Sequence, residues 1–183
     1  MVFAHDTDLS LQAAVALVNS GQEPDTLTSV AELSAFFDRL GYTGRHDRTR
    51  AELDEVRALR PSLRALLTAP RDRCVSLVNE ILATYGASPQ LVRHPASDTS
   101  AGQDWHVHAI AADAPLAHRI AVETAMAMID VIRADEHSRI FTCADESCDG
   151  IVLDLSRNRS KRYCSTACTN RNASAAYRAR HRT

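Results

Sequence analysis

Four of the five cysteines fall within a 26-residue stretch as two close pairs, Cys143 with Cys148 and Cys164 with Cys168, separated by 15 residues. Thiolates paired at such short separations are the ligand set of a tetrahedral zinc ion, because each pair grips one edge of the tetrahedron from a turn or a helix start. A segment this poor in apolar residues has little core of its own, so metal-binding energy serves as folding energy. The competing chemistry is a pair of disulfides. No basic segment precedes the first apolar run and no small-residue cleavage site follows it, so the chain is expected inside the cell, where zinc is favoured over disulfides. Four thiolates fill the coordination sphere. One structural zinc per chain is expected, with no open position for catalysis.

The same end of the chain attracts anions. From Arg157 onward come Arg157, Arg159, Lys161, Arg162, Arg171, Arg178, Arg180 and Arg182, with no Asp or Glu, so the last 27 residues carry +8. The first 156 residues carry −10, and the whole chain only −2. A basic tail on an acidic body is the footprint of nucleic-acid binding. Ser165 can cap a helix that holds Cys168 in its first turn and continues through an alanine-rich run. On that helix Arg171, Ser174, Arg178 and Arg182 share one face, with Arg180 to the side. Asn170 and Asn172 are candidates for base contacts, since an amide pairs bidentately with adenine. DNA is therefore the expected partner of these ten side chains. Two other readings stay open. The module could dock on an acidic protein face, or bind RNA with Tyr163 and Tyr177 as its stacking surfaces. Some loop cations could also balance the negative charge of the zinc thiolates.

Other groups form looser sets. His106 and His108 share a strand face and could meet His94 and Asp104 in a ligand or metal site, against the plainer reading of partly exposed strand histidines. Asn19 and Asn79 sit at the polar edge of apolar helical runs, where they could line a pocket or serve as satisfied structural amides. Cys74 stands beside Arg71 and Arg73, which could make it a reactive thiolate, against the plainer reading of a small buried core residue. There is no Gly-rich phosphate loop, nucleophile elbow or paired-carboxylate signature, and an enzyme is not expected.

The elements that must position these groups are mostly helical. At 183 residues, 45% hydrophobic and 24% charged, the chain has enough material for a real core. Leu11, Val15 and Val18 repeat at helical spacing after Asp8, a possible cap. Ser29 and Glu32 form a capping box ahead of Leu33 and Phe37, and Thr49 with Glu52 repeats the signal before Leu53 and Val56. Pro61 should break that third helix, after which Leu63 and Leu66 resume the pattern. A fourth helix follows Pro70. The period then changes, and residues 90–94 and 104–110 read as a hairpin. Asp113 and Pro115 open a long helix to about Arg133. The fold class is thus mainly α with a small β-hairpin near residues 90–110. A helical region over residues 1–138 is expected to precede a zinc-stabilised module over 139–183 that ends in the basic helix. The longest early apolar run, Leu9 to Val18, is too short for a membrane span.

These motifs resemble the CGNR zinc-finger proteins, which pair such a finger with an N-terminal helical ABATE domain. The finger's likeness rests on Cys143, Cys148, Leu153-Asp154, Ser156-Arg157-Asn158, Arg162-Tyr163-Cys164-Ser165, Cys168-Thr169-Asn170-Arg171 and Tyr177-Arg178. That of the body rests on Leu17-Val18-Asn19-Ser20, the following helices, Asn79 and the hairpin before the long helix. The resemblance implies a bacterial, zinc-containing transcription regulator, cytoplasmic and nucleoid-associated. Its body would sense a small-molecule or protein effector or form a homodimer. Thr169 stands where the family's name has Gly, which argues against close phosphate approach if that Gly serves a positive backbone angle. Pro61 interrupts a helix usually continuous in the family.

Overall fold

The computed structural model describes residues 3–92 and 106–181. Five helices come first: α1 (His5–Asn19), α2 (Val30–Arg39), α3 (Arg50–Ala58), α4 (Arg60–Thr68) and α5 (Arg71–Thr84). A short antiparallel pair follows, β1 (Gln90–Val92) and β2 (His106–His108), then α6 (Leu116–Arg133). The last part holds a 3-10 turn (His137–Arg139), a second antiparallel pair, β3 (Ile140–Thr142) and β4 (Ile151–Leu153), and α7 (Thr166–Arg180).

Local chemistry accounts for most of these boundaries. The Ser29 hydroxyl accepts the Glu32 N–H at 3.2 Å while the Glu32 carboxylate accepts the Ser29 N–H at 2.9 Å, a complete capping box. At α3 only half of the box forms. Thr49 caps the Glu52 N–H, but the Glu52 carboxylate turns to the Asp47 and Arg48 N–H groups and to His46. Pro61 separates α3 from α4 and sits in the first turn of α4, where its missing N–H breaks no helical bond. Some boundaries differ from expectation: α6 begins at Leu116 with Pro115, not Asp113, as its cap, and β2 ends at His108. α1 begins at His5 with Ala4 as its cap, so Asp8 lies inside the first turn, buried, rather than capping. The expected hairpin is present in its described part, with Val92 opposite His106 and Gln90 opposite His108. Its remainder, residues 93–105, lies outside the described residues, as do Arg182 and Thr183.

α1 lies along α6, and this pair forms the spine of the core. Ala13 and Ala14 on α1, and Ala117, Ala121 and Ala125 on α6, keep the helices close, while Leu11, Leu17, Ile120 and Met128 are fully buried around them. The β3–β4 pair has no counterpart in the sequence reading. It packs on α1 and α4. β4 is buried on both faces: Ile151 and Leu153 join the body's core, while Val152, 0% exposed, clusters with Cys143 and Cys168. Three residues that alternate across a strand therefore connect the helical core to the cysteine cluster. At roughly 1.5–3 kcal/mol for each fully buried large aliphatic side chain, this seam contributes on the scale of a whole domain's net stability.

Two further ties hold the seam. The Asn19 side chain donates to the Ile151 carbonyl at 2.8 Å and accepts the Ile151 N–H at 2.7 Å, so its amide pairs with β4 as a neighbouring strand would. Arg64 donates to the Asp149 carbonyl at 2.7 Å. On the far side of the body, Arg119 is buried and donates to the carbonyls of Thr43, Arg45 and Ala114, fixing the α2–α3 loop to α6. Near it, burial pushes the Glu123 carboxyl up to about 7, with the Arg119 guanidinium offsetting part of the rise.

These contacts give two expected outcomes. Asn19→Ala leaves the Ile151 N–H and carbonyl without partners and should lower stability by roughly 1–3 kcal/mol in urea denaturation. For Glu123 the folded value lies above the ordinary 4.5, so between 4.5 and about 7 the unfolded state binds fewer protons and stability falls as pH rises. Glu123→Gln keeps the neutral form. The variant should gain on the order of 3 kcal/mol over wild type at pH 8 and almost nothing at pH 4, as read from denaturation midpoints.

Candidate metal centre and basic helix

Cys143 follows β3, and its N–H donates to the Gly150 carbonyl at 2.7 Å, which closes the first knuckle. Inside it, Asp145 is buried and accepts both the N–H and the hydroxyl of Ser147, folding the chain so that Cys148 returns beside Cys143. The second pair is set by α7. The Ser165 hydroxyl accepts the Cys168 N–H at 3.2 Å as the helix cap, placing Cys168 in the first turn and Cys164 just ahead of it. Cys168 thus lies at the positive end of the helix dipole, which favours a thiolate.

The four sulfurs converge. Cys148 and Cys164 Sγ are 3.4 Å apart, Cys164 and Cys168 Sγ 3.8 Å, and all four lie within 4.8 Å of one another. Disulfide sulfurs would sit at about 2.05 Å, so none is formed and all five cysteines are free thiols. Zinc–sulfur bonds of about 2.3 Å in a tetrahedron place sulfurs roughly 3.8 Å apart, which matches the cluster. Among the described residues this is the one group of His, Cys, Asp or Glu side chains arranged to hold a metal ion. The cluster fits one structural zinc ion, with Cys143, Cys148, Cys164 and Cys168 as its donors.

The surroundings supply positive charge and N–H donors to the sulfurs. Gly150 N–H donates to Cys148 Sγ and Cys164 N–H to Cys143 Sγ, each at 3.4 Å. Arg171 Nη2 approaches Cys168 Sγ at 3.3 Å, and its Nε donates to Asp145 at 2.7 Å. The Ser147 hydroxyl and the Arg171 guanidinium hold the Asp145 carboxyl well below the usual carboxylate range. Hydrogen bonding with Ser165 draws the Cys168 thiol down, whereas burial and the neighbouring thiols push Cys164 up. From the body, Gln22 Nε2 donates to Cys148 Sγ at 3.6 Å. Gly150 is squeezed between the two units: a Cβ there would meet Cys164 Sγ and Gln22 Nε2, each at 2.6 Å.

The basic candidates divide by what they touch. Arg171 is engaged at the cluster, and the Asn172 side chain donates to the Cys168 carbonyl at 3.0 Å. Lys161 Nζ donates to the Leu153 carbonyl, and Arg159 pairs with Glu136 at 2.6 Å. Arg162 lies 5.9 Å over the Tyr163 ring. Arg157, Asn170, Arg178 and Arg180 are exposed, and Arg182 lies outside the described residues. Thr169 is helical and its hydroxyl donates to the Ser165 carbonyl, so this position needs no glycine for a positive backbone angle. Beyond its first turn α7 stands in solvent. Cys168 is its single buried residue, and Tyr177 is 59% exposed.

Among the described residues, the looser sets form no second cluster of metal-ligating side chains. Asn19, expected at a pocket, has its amide engaged by β4, although it also borders a shallow cavity of about 300 Å³ beside Ser20, Leu27 and Phe36. Asn79 is exposed on α5 and does not line that cavity. His108 is half-buried opposite Gln90, His106 is described only as a strand residue, and His94 and Asp104 lie outside the described residues. Cys74 is fully buried and burial pushes its thiol up, which is the core reading and not the reactive one. Sequence reasoning missed Gln22, Glu136, Arg139 and Asp145. For Asp145 a signal was available, a carboxylate between two ligands and ahead of the cationic tract that begins at Arg157.

A helical body sharing its core with a four-thiolate module defines a protein with a structural zinc finger fused to an α-helical domain. The chain belongs to the ABATE family, described as "Putative stress-induced transcription regulator", whose profile matches residues 11–135. The CGNR zinc finger profile matches residues 139–181, in the order the motifs imply. No curated protein matches the chain. Neither description names an enzymatic activity, and no helix among the described residues is long and apolar enough to cross a membrane.

Metal loading should separate the two kinds of arginine on α7. Arg171→Ala is expected to weaken zinc retention 10–100-fold in competition with a chelator, because it removes the cation beside Cys168. Arg178→Ala should retain zinc like wild type.

Proposed function

We propose that the finger, residues 139–183, binds double-stranded DNA through α7, and that the helical body, residues 1–138, regulates that binding. The observation that supports this most directly is α7 itself. A helix 15 residues long with one buried side chain gains little from packing, and isolated helices of that length are marginal in water. It presents Arg178 in a segment with no acidic residue from 155 to 183, a field suited to phosphate. Exposed Asn170 and Arg178 are the contacts we assign on α7.

With Arg159, Lys161 and Arg171 engaged within the protein and Arg180 also partnered, at most four of the eight tail cations remain for phosphate. The log–log dependence of affinity on salt should then be no steeper than about −3.6. Binding by one finger at physiological salt is weak on this count, and two fingers joined by pairing of their bodies would supply the missing affinity. An effector acting on the body reaches the finger through the Asn19–β4 tie and the shared core.

Full-length zinc-loaded protein, titrated into labelled duplex DNA across a salt series, tests the reading. Binding should disappear on removal of zinc, and Arg178→Ala should flatten the slope by about one unit. Absence of binding at low salt would give the finger to an acidic protein partner. Preference for single-stranded RNA would give it to RNA.

A further inference from the structure

The loop between β4 and Cys164 is held from three sides. Asp154, 1% exposed, accepts the Ser156 N–H on one oxygen and the Lys161 N–H on the other, each at 2.8 Å. Arg139 is buried beneath it and donates to the carbonyls of Asp154 and Ser156, each at 3.0 Å. Arg159 reaches back to Ser138 at 2.8 Å and to Glu136 at 2.6 Å. One carboxylate oxygen, Glu136 Oε2, thus takes both Arg139 Nε at 2.7 Å and Arg159 Nη2. At the tip, Arg157 and Asn158 are exposed and make no hydrogen bond or ion pair with the described residues. The chain then runs through Cys164 directly into α7.

We propose that this loop is a second DNA-contact element, with Arg157 on a backbone phosphate and Asn158 on a base or sugar edge, positioned by Glu136 through Arg139 and Arg159. The proposal rests on the DNA reading above. A loop already fixed by a buried carboxylate and a buried guanidinium loses little further entropy when its tip makes contact. Asn158 offers both a donor and an acceptor, as edge recognition requires. Glu136 is an acidic group behind a basic loop, so its charge opposes phosphate binding while its hydrogen bonds favour it. That opposition makes the role measurable.

The test uses full-length zinc-loaded protein and a labelled duplex, with Kd measured by anisotropy across a salt series. Arg157→Ala should weaken binding three-fold or more and reduce the slope by about 0.9. Asn158→Ala should weaken binding at unchanged slope. Glu136→Ala makes the protein more cationic, so charge alone would tighten binding; positioning weakens it several-fold, and Glu136→Gln, which keeps an acceptor, restores most of the loss. Should Glu136→Ala fail to fold, Arg159→Ala decides: loss of affinity at unchanged slope is positioning, and loss of slope is a direct phosphate contact that overturns the clamp. If Arg178→Ala weakens binding while Arg157→Ala and Glu136→Ala do not, the loop proposal falls and the DNA reading stands. If wild type binds no DNA, both fall.

Discussion

The structure depends on one short strand that is buried on both sides. In β4, Ile151 and Leu153 face the helical core and Val152 faces the cysteine cluster. Each face is apolar for a different reason. The body needs its α1–α6 spine covered, and the finger needs a dry wall beside thiolates whose hydrogen bonds strengthen away from water. The edge of so short a strand would be left partly unpaired, and Asn19 completes it with an amide that donates and accepts at once.

From that strand outward, the finger is organised by opposite charges placed at two depths. Close to the sulfurs, Arg171 and buried Asp145 balance each other and the cluster. Farther out, Arg139, Arg159 and Glu136 lock the loop. Arg157 at the tip of the loop and Arg178 on α7 are exposed instead. A tail that reads in the sequence as one undivided basic tract is in the fold an inner set that builds the finger and an outer set directed at solvent.

Parts of this were legible before any coordinates. The cysteine spacing announced the ligand set, the Ser29 and Glu32 pair announced α2, and Pro61 announced the break between α3 and α4, because each effect acts over a few neighbouring residues. β3 and β4 were not legible. Three residues are too few to show a period, and a strand buried on both faces does not alternate. Nor could composition separate Arg171 from Arg178 on the same helix face, since the difference lies in Asp145, 26 residues earlier in the chain. Asn19 and Asn79 looked alike at the edges of apolar runs. Only the approach of β4, 132 residues away, makes one of them structural.

Gly150 gives this architecture a consequence for its evolution. A position that touches a zinc ligand on one side and a body side chain on the other answers to two units at once. Zinc fingers are commonly regarded as cassettes, moved between proteins with their ligands and little else. This one is not portable in that sense: its Cys148 sulfur takes a hydrogen bond from Gln22 and its strand edge is completed by Asn19, so a transplanted finger would leave part of its own wall behind. Body and finger are bound to drift together, and a substitution in either is accepted or refused by the other.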